Sequence, residues 1–155
     1  MKKAFVITAA LVIIASPALA YDPAYAAIVE LNEYAKLTGA AQITVEPVTV
    51  QDGDSTQYTY TISDDLQITM TIKDEKVRSF SCLCRTEAVA GEFMSQAADG
   101  CYLLAGYDPD LMKTVYLDFL NARSGHETDK RVFSSIGIVF RLFKSNGQYA
   151  FVIAR

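Results

Sequence analysis

The chain has 155 residues, of which 14 are Lys or Arg and 18 are Asp or Glu, so its formal charge is −4. That length fits one domain with one hydrophobic core. The acidic balance argues against a nucleic-acid partner, because binding to phosphates needs a patch of Lys and Arg.

The first 20 residues have the pattern of a bacterial secretory signal. Lys2 and Lys3 precede an apolar run, and the small-x-small sequence Ala18-Leu19-Ala20 predicts cleavage after Ala20. The run is shorter than the roughly 20 apolar residues that span a bilayer, so no integral membrane segment is expected after cleavage. We therefore expect one exported domain, residues 21–155, in the periplasm or secreted, with a formal charge of −6 once the two lysines are removed.

A first helix is predicted at the start of this domain. Asp22 and Pro23 are a capping residue followed by proline at the first helical position, and Gly39 is a natural stop. Apolar residues recur at helical spacing between them, at Ala24, Ile28, Leu31 and Ala35.

From Gln42 apolar and polar residues alternate, which is typical of strands. A strand from Ile43 to Val50 is predicted at a sheet edge, because Pro47 has no N–H to donate to a neighbour. Three further strands follow after polar turns, and the last ends at Cys84. Together they predict a four-strand antiparallel meander with one apolar and one wet face.

Two more helices and a hairpin are predicted after the meander. A helix starting at Thr86-Glu87 is weakened by Gly91 and Gly100, whereas the helix starting at Asp108-Pro109 has a clear amphipathic stripe. After a charged loop, residues 123–131, two strands surround an Asn146-Gly147 turn. Their apolar residues on both faces, Val139, Phe143 and Val152 among them, place this hairpin toward the middle of the sheet.

These elements predict an α+β fold, with an antiparallel sheet of about six strands, a four-strand meander plus a C-terminal hairpin, packed on one face by about three helices. A helix followed by an antiparallel meander resembles the cystatin-like α+β scaffolds. The chain has no inhibitory loop signature of that family, so the resemblance implies an architecture and not an activity.

All three cysteines lie in the short segment from Phe80 to Cys101. Cys82 and Cys84 share the core face of the fourth strand, and Cys101 lies on the core stripe of the next helix. A buried pair in an oxidising compartment is expected to be bonded, and a bridge between Cys82 and Cys84 would be strained. We therefore expect a structural disulfide from Cys101. A helix rise of about 1.5 Å per residue carries Cys101 away from Cys84, which favours Cys82 as its partner over Cys84.

Other roles for the cysteines fit the sequence less well. Zinc would need all three thiols and the single histidine, His126, to converge from distant elements. A redox dithiol is typically Cys-x-x-Cys, whereas this chain has Cys-x-Cys. We expect no cofactor and no metal.

Two polar segments resemble sites at first sight. The loop from Ser124 to Asp129 contains a hydroxyl, His126 and two carboxylates, but near neighbours in a polar loop generally point apart. Carboxylates also pair up in the meander turns, as at Asp52 and Asp54, where turn chemistry explains them without calcium. No catalytic residue is predicted in either segment.

The wet face of the meander is the candidate interaction surface. Threonines and glutamines there are expected to stand side by side on adjacent strands, either as a plain exposed face or as a recognition surface. With His126, the candidate residues are Gln57, Thr59, Thr61, Gln67, Thr69 and Thr71.

The sequence has no phosphate-binding loop, nucleophile elbow or metal-binding helix motif. The leading hypothesis is a small exported, non-catalytic protein-binding module, of an inhibitor or immunity type, whose partner is another envelope or extracellular protein. One alternative is a periplasmic carrier of a small ligand or lipid, which would use the side of the sheet facing the helices. Another is an exported enzyme with an unrecognised site.

Overall fold

The computed structural model describes residues 22–126 and 130–155, so the predicted signal sequence lies outside the described residues. Helix α1 (Pro23–Thr38) begins and ends where its capping residues predict. The Asp22 carboxylate accepts hydrogen bonds from the amides of Ala24 (2.9 Å) and Tyr25 (3.3 Å). Gly39 ends the helix with a φ of 78°, a left-handed conformation that favours glycine.

In the described residues, seven strands form one antiparallel sheet, one strand more than about six. Their order across the sheet is β1-β2-β3-β4-β7-β6-β5. The predicted meander and hairpin are both present, and β7 pairs with β4, which places the hairpin inside the sheet as expected. The strands are β1 (Val48–Asp52), β2 (Ser55–Ser63), β3 (Leu66–Lys73), β4 (Lys76–Cys84), β5 (Arg131–Phe133), β6 (Ile138–Ser145) and β7 (Gln148–Ala154).

The additional strand, β5, begins at the end of the predicted charged loop. It has three residues and pairs with β6 at the sheet edge. The Arg131 guanidinium donates two hydrogen bonds, at 3.1 and 3.3 Å, to the buried carboxylate of Asp118. Three residues are too few for a period of two to be recognised in the sequence, so β5 could not be separated from the loop.

Helices α2 (Ala90–Ala105) and α3 (Pro109–Arg123) pack with α1 on one face of the sheet, which confirms the α+β class. A 3₁₀ turn (Glu87–Val89) occupies the predicted start of α2, so the α-helix itself begins three residues later. The layer between helices and sheet is filled by buried aromatic rings, among them Phe80, Phe93, Phe119, Phe140, Tyr149 and Phe151. No helix within the described ranges is long and apolar enough to cross a membrane.

Gly100 brings α2 into close contact with β4. A Cβ atom at this position would lie 2.1 Å from Cδ1 of the buried Phe80 ring. The sequence suggested only that Gly100 weakens the helix. Its absent side chain instead makes room for the Phe80 ring.

The predicted disulfide between Cys101 and Cys82 is wrong, because Cys82, Cys84 and Cys101 are free thiols. The expected burial of all three is confirmed. Phe93 packs on Tyr149, whose strand partner is Cys84, with ring centroids 5.7 Å apart. Eight residues of helix from Phe93 advance about 12 Å, and the strand from Cys84 back to Phe80 covers about 13 Å. Cys101 is therefore carried past Cys82, to the level of Phe80.

The first predicted strand begins later than expected, at Val48 instead of Ile43. The segment between α1 and β1 is held by side chains: Asn32 accepts from the Ile43 amide (2.7 Å) and donates to its carbonyl (3.0 Å). Glu92 and the buried Gln96 likewise bind the backbone of Ala41. Because side chains satisfy these backbone groups, the apolar alternation of the segment reflects burial of Ile43 and not strand pairing. The predicted edge position of β1 is confirmed.

Candidate interaction surface

The threonines predicted to stand together do so. Thr59 of β2 lies directly opposite Thr69 of β3, and their hydroxyl oxygens are 3.1 Å apart. Gln57 is opposite Thr71 and Thr61 is opposite Gln67, so all six predicted strand residues share the side of the sheet that carries no helix. This side is called the open face.

The open face continues across the sheet beyond the threonines. Strand pairing extends the rows through Ser79 and Ser81 of β4 into Val152 of β7. Toward the two edges of the sheet, apolar residues on this side are exposed to solvent, and five of them define the flanks of the open face: Val48, Val50, Val132, Phe143 and Val152. The sequence contained this signal, since Phe143 and Val152 broke the polar alternation of the hairpin, but it was interpreted as burial within the sheet.

The centre of the open face is almost uncharged. Arg141 of β6 lies in the row of Val152, and its guanidinium carbon is 5.4 Å from the centroid of the Phe143 ring. Lys73 lies at the rim and pairs with Asp54 at 2.5 Å. Depletion of charge is typical of the core of a protein–protein interface, and aromatic residues and Arg, which lie here at one flank, are enriched in such interfaces.

The open face is also large enough for such an interface. Seven strands spaced about 4.8 Å apart span about 29 Å, and seven residues of strand extend about 23 Å. The resulting area of roughly 650 Å² approaches the ~800 Å² that each partner buries in an interface of standard size.

His126 does not belong to this surface. It follows α3, on the helical side of the sheet, and its ring Nδ1 is 3.0 Å from the hydroxyl of Ser124. Both side chains are exposed, which agrees with a solvated loop. Residues 127–129, which carry the two carboxylates of that loop, lie outside the described residues.

A cleft of about 250 Å³ opens on the helical side of the sheet, between the start of α1, the segment before β1 and the inner side of β2. It is called the acidic cleft, and its walls include Asp22, Tyr25, Glu46, Tyr58 and Tyr60. Burial, with the negative charges of Asp22 and Glu46 nearby, raises the pKa of Tyr60 to about 12. Its volume is below the roughly 300–1,000 Å³ of typical pockets for drug-sized ligands, and the space between sheet and helices is occupied by core rings.

A second polar cluster surrounds Glu87 on the helical side. Its carboxylate accepts from the Tyr149 hydroxyl, from Arg123 at 2.9 Å and from Lys144 at 3.5 Å. The hydrogen bond from Tyr149 lowers the pKa of Glu87, and burial followed by the bond to Glu87 raises the pKa of Tyr149. Through these contacts, Glu87 fastens the 3₁₀ turn to α3 and to the hairpin.

The paired carboxylates of the meander turns are used locally. Asp54 binds Lys73, and Asp74 binds Arg78 at 3.4 Å. Within the described ranges no three His, Cys, Asp or Glu side chains are grouped so that they could hold a metal ion.

No family model, curated protein or solved structure matches this chain.

Proposed function

We propose that this chain is a small exported, non-catalytic protein-binding module that engages another envelope or extracellular protein through the open face. The proposed action is of an inhibitor or immunity type. Export is inferred from the secretory-signal pattern of residues 1–20. The observation that carries it is the open face itself, which is broad, almost uncharged at its centre and flanked by exposed Val and Phe side chains.

The composition of this face supports binding over simple exposure to solvent. Val152 and Phe143 are each 38% exposed, and the cross-strand neighbours of Val152 are the polar residues Ser81 and Arg141. Exposed apolar residues on monomeric proteins are normal when scattered singly, but a group rimmed by polar residues typically marks an interaction site.

A carrier function is supported less well. The acidic cleft is the feature that favours it, yet about 250 Å³ suits a fragment-sized ligand and not a lipid chain. Native mass spectrometry of the purified protein tests this second candidate: a retained small molecule supports it, and a mass equal to that of the chain alone counts against it.

The test of the binding proposal is a pull-down with tagged protein from the envelope and culture fluid of the source organism, read by mass spectrometry. We expect one stoichiometric partner that is lost when Val152 or Thr69 is changed to Arg. Leu120→Arg is the matched control, because Leu120 is 41% exposed and lies on α3, on the helical side.

Circular dichroism establishes that each variant is folded before binding is compared. Absence of any stoichiometric partner refutes the proposal. A partner that is lost with Leu120→Arg and kept with Val152→Arg also refutes it, since binding would then use the helical side.

A further inference from the structure

Strand β1 is an unprotected edge of the sheet. All five of its residues are exposed, and the four from Val48 to Gln51 carry no charge. Natural proteins usually protect such an edge with charged residues, short length or a covering segment, because its free N–H and C=O groups can pair with another chain. The opposite edge, β5, is protected: it has only three residues, and Arg131 fastens it to Asp118.

The acidic cleft lies beside this edge, and some of its lining residues adjoin β1 in the sequence or pair with it. Glu46 is two residues before β1, and Tyr58 is the β2 partner of Thr49 in β1. Among the described residues that line the cleft, Asp22 and Glu46 are charged and none is Lys or Arg. Asp52 adds negative charge at the other end of β1, and the nearby Asp54 is paired with Lys73.

A second copy of this chain fits the edge poorly. If two β1 strands paired antiparallel about Val50, Glu46 of one copy would lie opposite Asp54 of the other, whose charge is already paired with Lys73. If they paired about Thr49, Glu46 would lie opposite Asp52. Like charges directly opposite each other destabilise a strand pair, so the Thr49 register disfavours a second copy, and the carboxylates beside β1 favour a positively charged strand.

We propose that β1 accepts an extended, Lys- or Arg-rich segment of the partner protein as an eighth strand. Backbone hydrogen bonds to β1 supply binding that does not depend on sequence, and alternate side chains supply the specificity. One set of side chains continues the open face beside Val48 and Val50, and the other reaches from the edge toward the carboxylates of the acidic cleft. This inference rests on the proposed protein-binding function and names the chemistry of the partner.

The test uses three synthetic octapeptides as probes of the intact protein. The first alternates Lys with Val and Tyr, the second has Glu in place of every Lys, and the third keeps the Lys sequence but has N-methyl groups on alternate backbone nitrogens. Affinity is measured by fluorescence anisotropy, and the site is located from amide chemical-shift changes in NMR spectra.

We expect the Lys peptide to bind at least tenfold more tightly than the Glu peptide and the N-methyl peptide. The largest shift changes are expected at Val48, Thr49 and Val50. Glu46→Gln should weaken binding of the Lys peptide about threefold to tenfold, which corresponds to roughly 0.7–1.4 kcal/mol. Glu33→Gln removes the same charge from the exposed side of α1, outside the cleft, and should leave the affinity unchanged.

Equal binding of the N-methyl and Lys peptides overturns the inference, because attraction without strand pairing would explain it. Shift changes away from β1, or no binding of the Lys peptide at millimolar concentration, also overturn it. Those outcomes leave the binding proposal standing if a partner protein is still lost with Val152→Arg. Absence of a partner protein refutes that proposal separately.

Discussion

Replacing Gly100 with alanine tests how closely α2 packs on the sheet. The new Cβ would lie 2.1, 2.5 and 2.7 Å from Cδ1, Cε1 and Cγ of Phe80. Carbon atoms in favourable contact are about 3.5–4.0 Å apart, so the helix must move away from β4 by roughly 1.5 Å or the ring must leave its rotamer. Phe80 is completely buried, and therefore its ring cannot turn into solvent.

The expected magnitude follows from two opposing terms. Overpacking a well-packed core costs about 1–3 kcal/mol, and a clash with three atoms of one ring belongs at the upper end. Alanine recovers about 1 kcal/mol over glycine inside a helix. We therefore expect Gly100→Ala to lower the free energy of unfolding by about 2 kcal/mol.

The assay is urea denaturation followed by circular dichroism, with two comparisons. Gly91→Ala lies in the same helix with no atom within 4 Å of its Cβ, so it should be neutral or stabilise the protein by up to about 1 kcal/mol. In a Phe80→Leu background, Gly100→Ala should cost at least about 1 kcal/mol less than in the wild type. If Gly100→Ala is as stable as Gly91→Ala, the close contact between α2 and β4 is not as described.

Two further predictions concern buried groups. Burial raises the pKa of Asp99 to about 6, although Thr38 donates a hydrogen bond of 2.8 Å to it. Since this folded-state pKa is above the unfolded value, the stabilising contribution is present below about pH 4 and is lost as the pH rises through about 6, by up to about 3 kcal/mol. As the pH rises from about 4 to about 7, the free energy of unfolding of Asp99→Asn should therefore increase relative to that of the wild type by up to that amount. A difference between the two proteins that does not change with pH contradicts the pKa shift. Burial likewise raises the pKa of Cys82 and Cys84, and that of Cys101 to about 12. Without reductant, a thiol-specific reagent should modify the folded protein very slowly and all three cysteines after denaturation; fewer than three reactive thiols in the unfolded chain would reveal a disulfide.

Local capping chemistry made both capped helices predictable from the sequence. Asp22 and Asp108 each accept hydrogen bonds from the first turn that follows, and proline follows each of them. These interactions involve only neighbouring residues, so the order of amino acids contains the whole signal. The turn at Asn146-Gly147 was recognisable for the same reason, with φ values of 50° and 78° at its two residues.

Features that depend on the distance between elements were not predictable in this way. Whether Cys101 could reach Cys82 or Cys84 depended on the position of α2 along β4, where Gly100 lies against Phe80. The segment around Ile43 looked like a strand because its hydrogen-bond partner, Asn32, is a side chain in another element. The alternation of apolar and polar residues is visible in the sequence, but the side chain that bonds to the backbone of the segment is not.

The candidate site lies between these cases. The alternation of Thr59 and Thr69 with apolar residues placed the polar row correctly, since both strands belong to a meander of local hairpins. The row was joined to Val152 only through the pairing of β7 with β4, which are separated in the sequence by the helices α2 and α3 and the strands β5 and β6. No strand pairing connects His126 to the threonines with which the sequence analysis grouped it, and it lies on the other side of the sheet.

The position of the last strand bears on how the chain folds. Strand β7 follows the other six strands of the described sheet in chain order, yet it joins the meander to β6 and β5. Until β7 is available, β4 has no neighbour on one side, and the sheet consists of two separate pieces. Closure of the sheet is therefore a non-local event, because β7 pairs with a strand that is distant from it in the sequence, and non-local pairing favours slow folding. The amide of Arg155, which donates to the carbonyl of Arg78 at 2.9 Å, secures that closure at its far end.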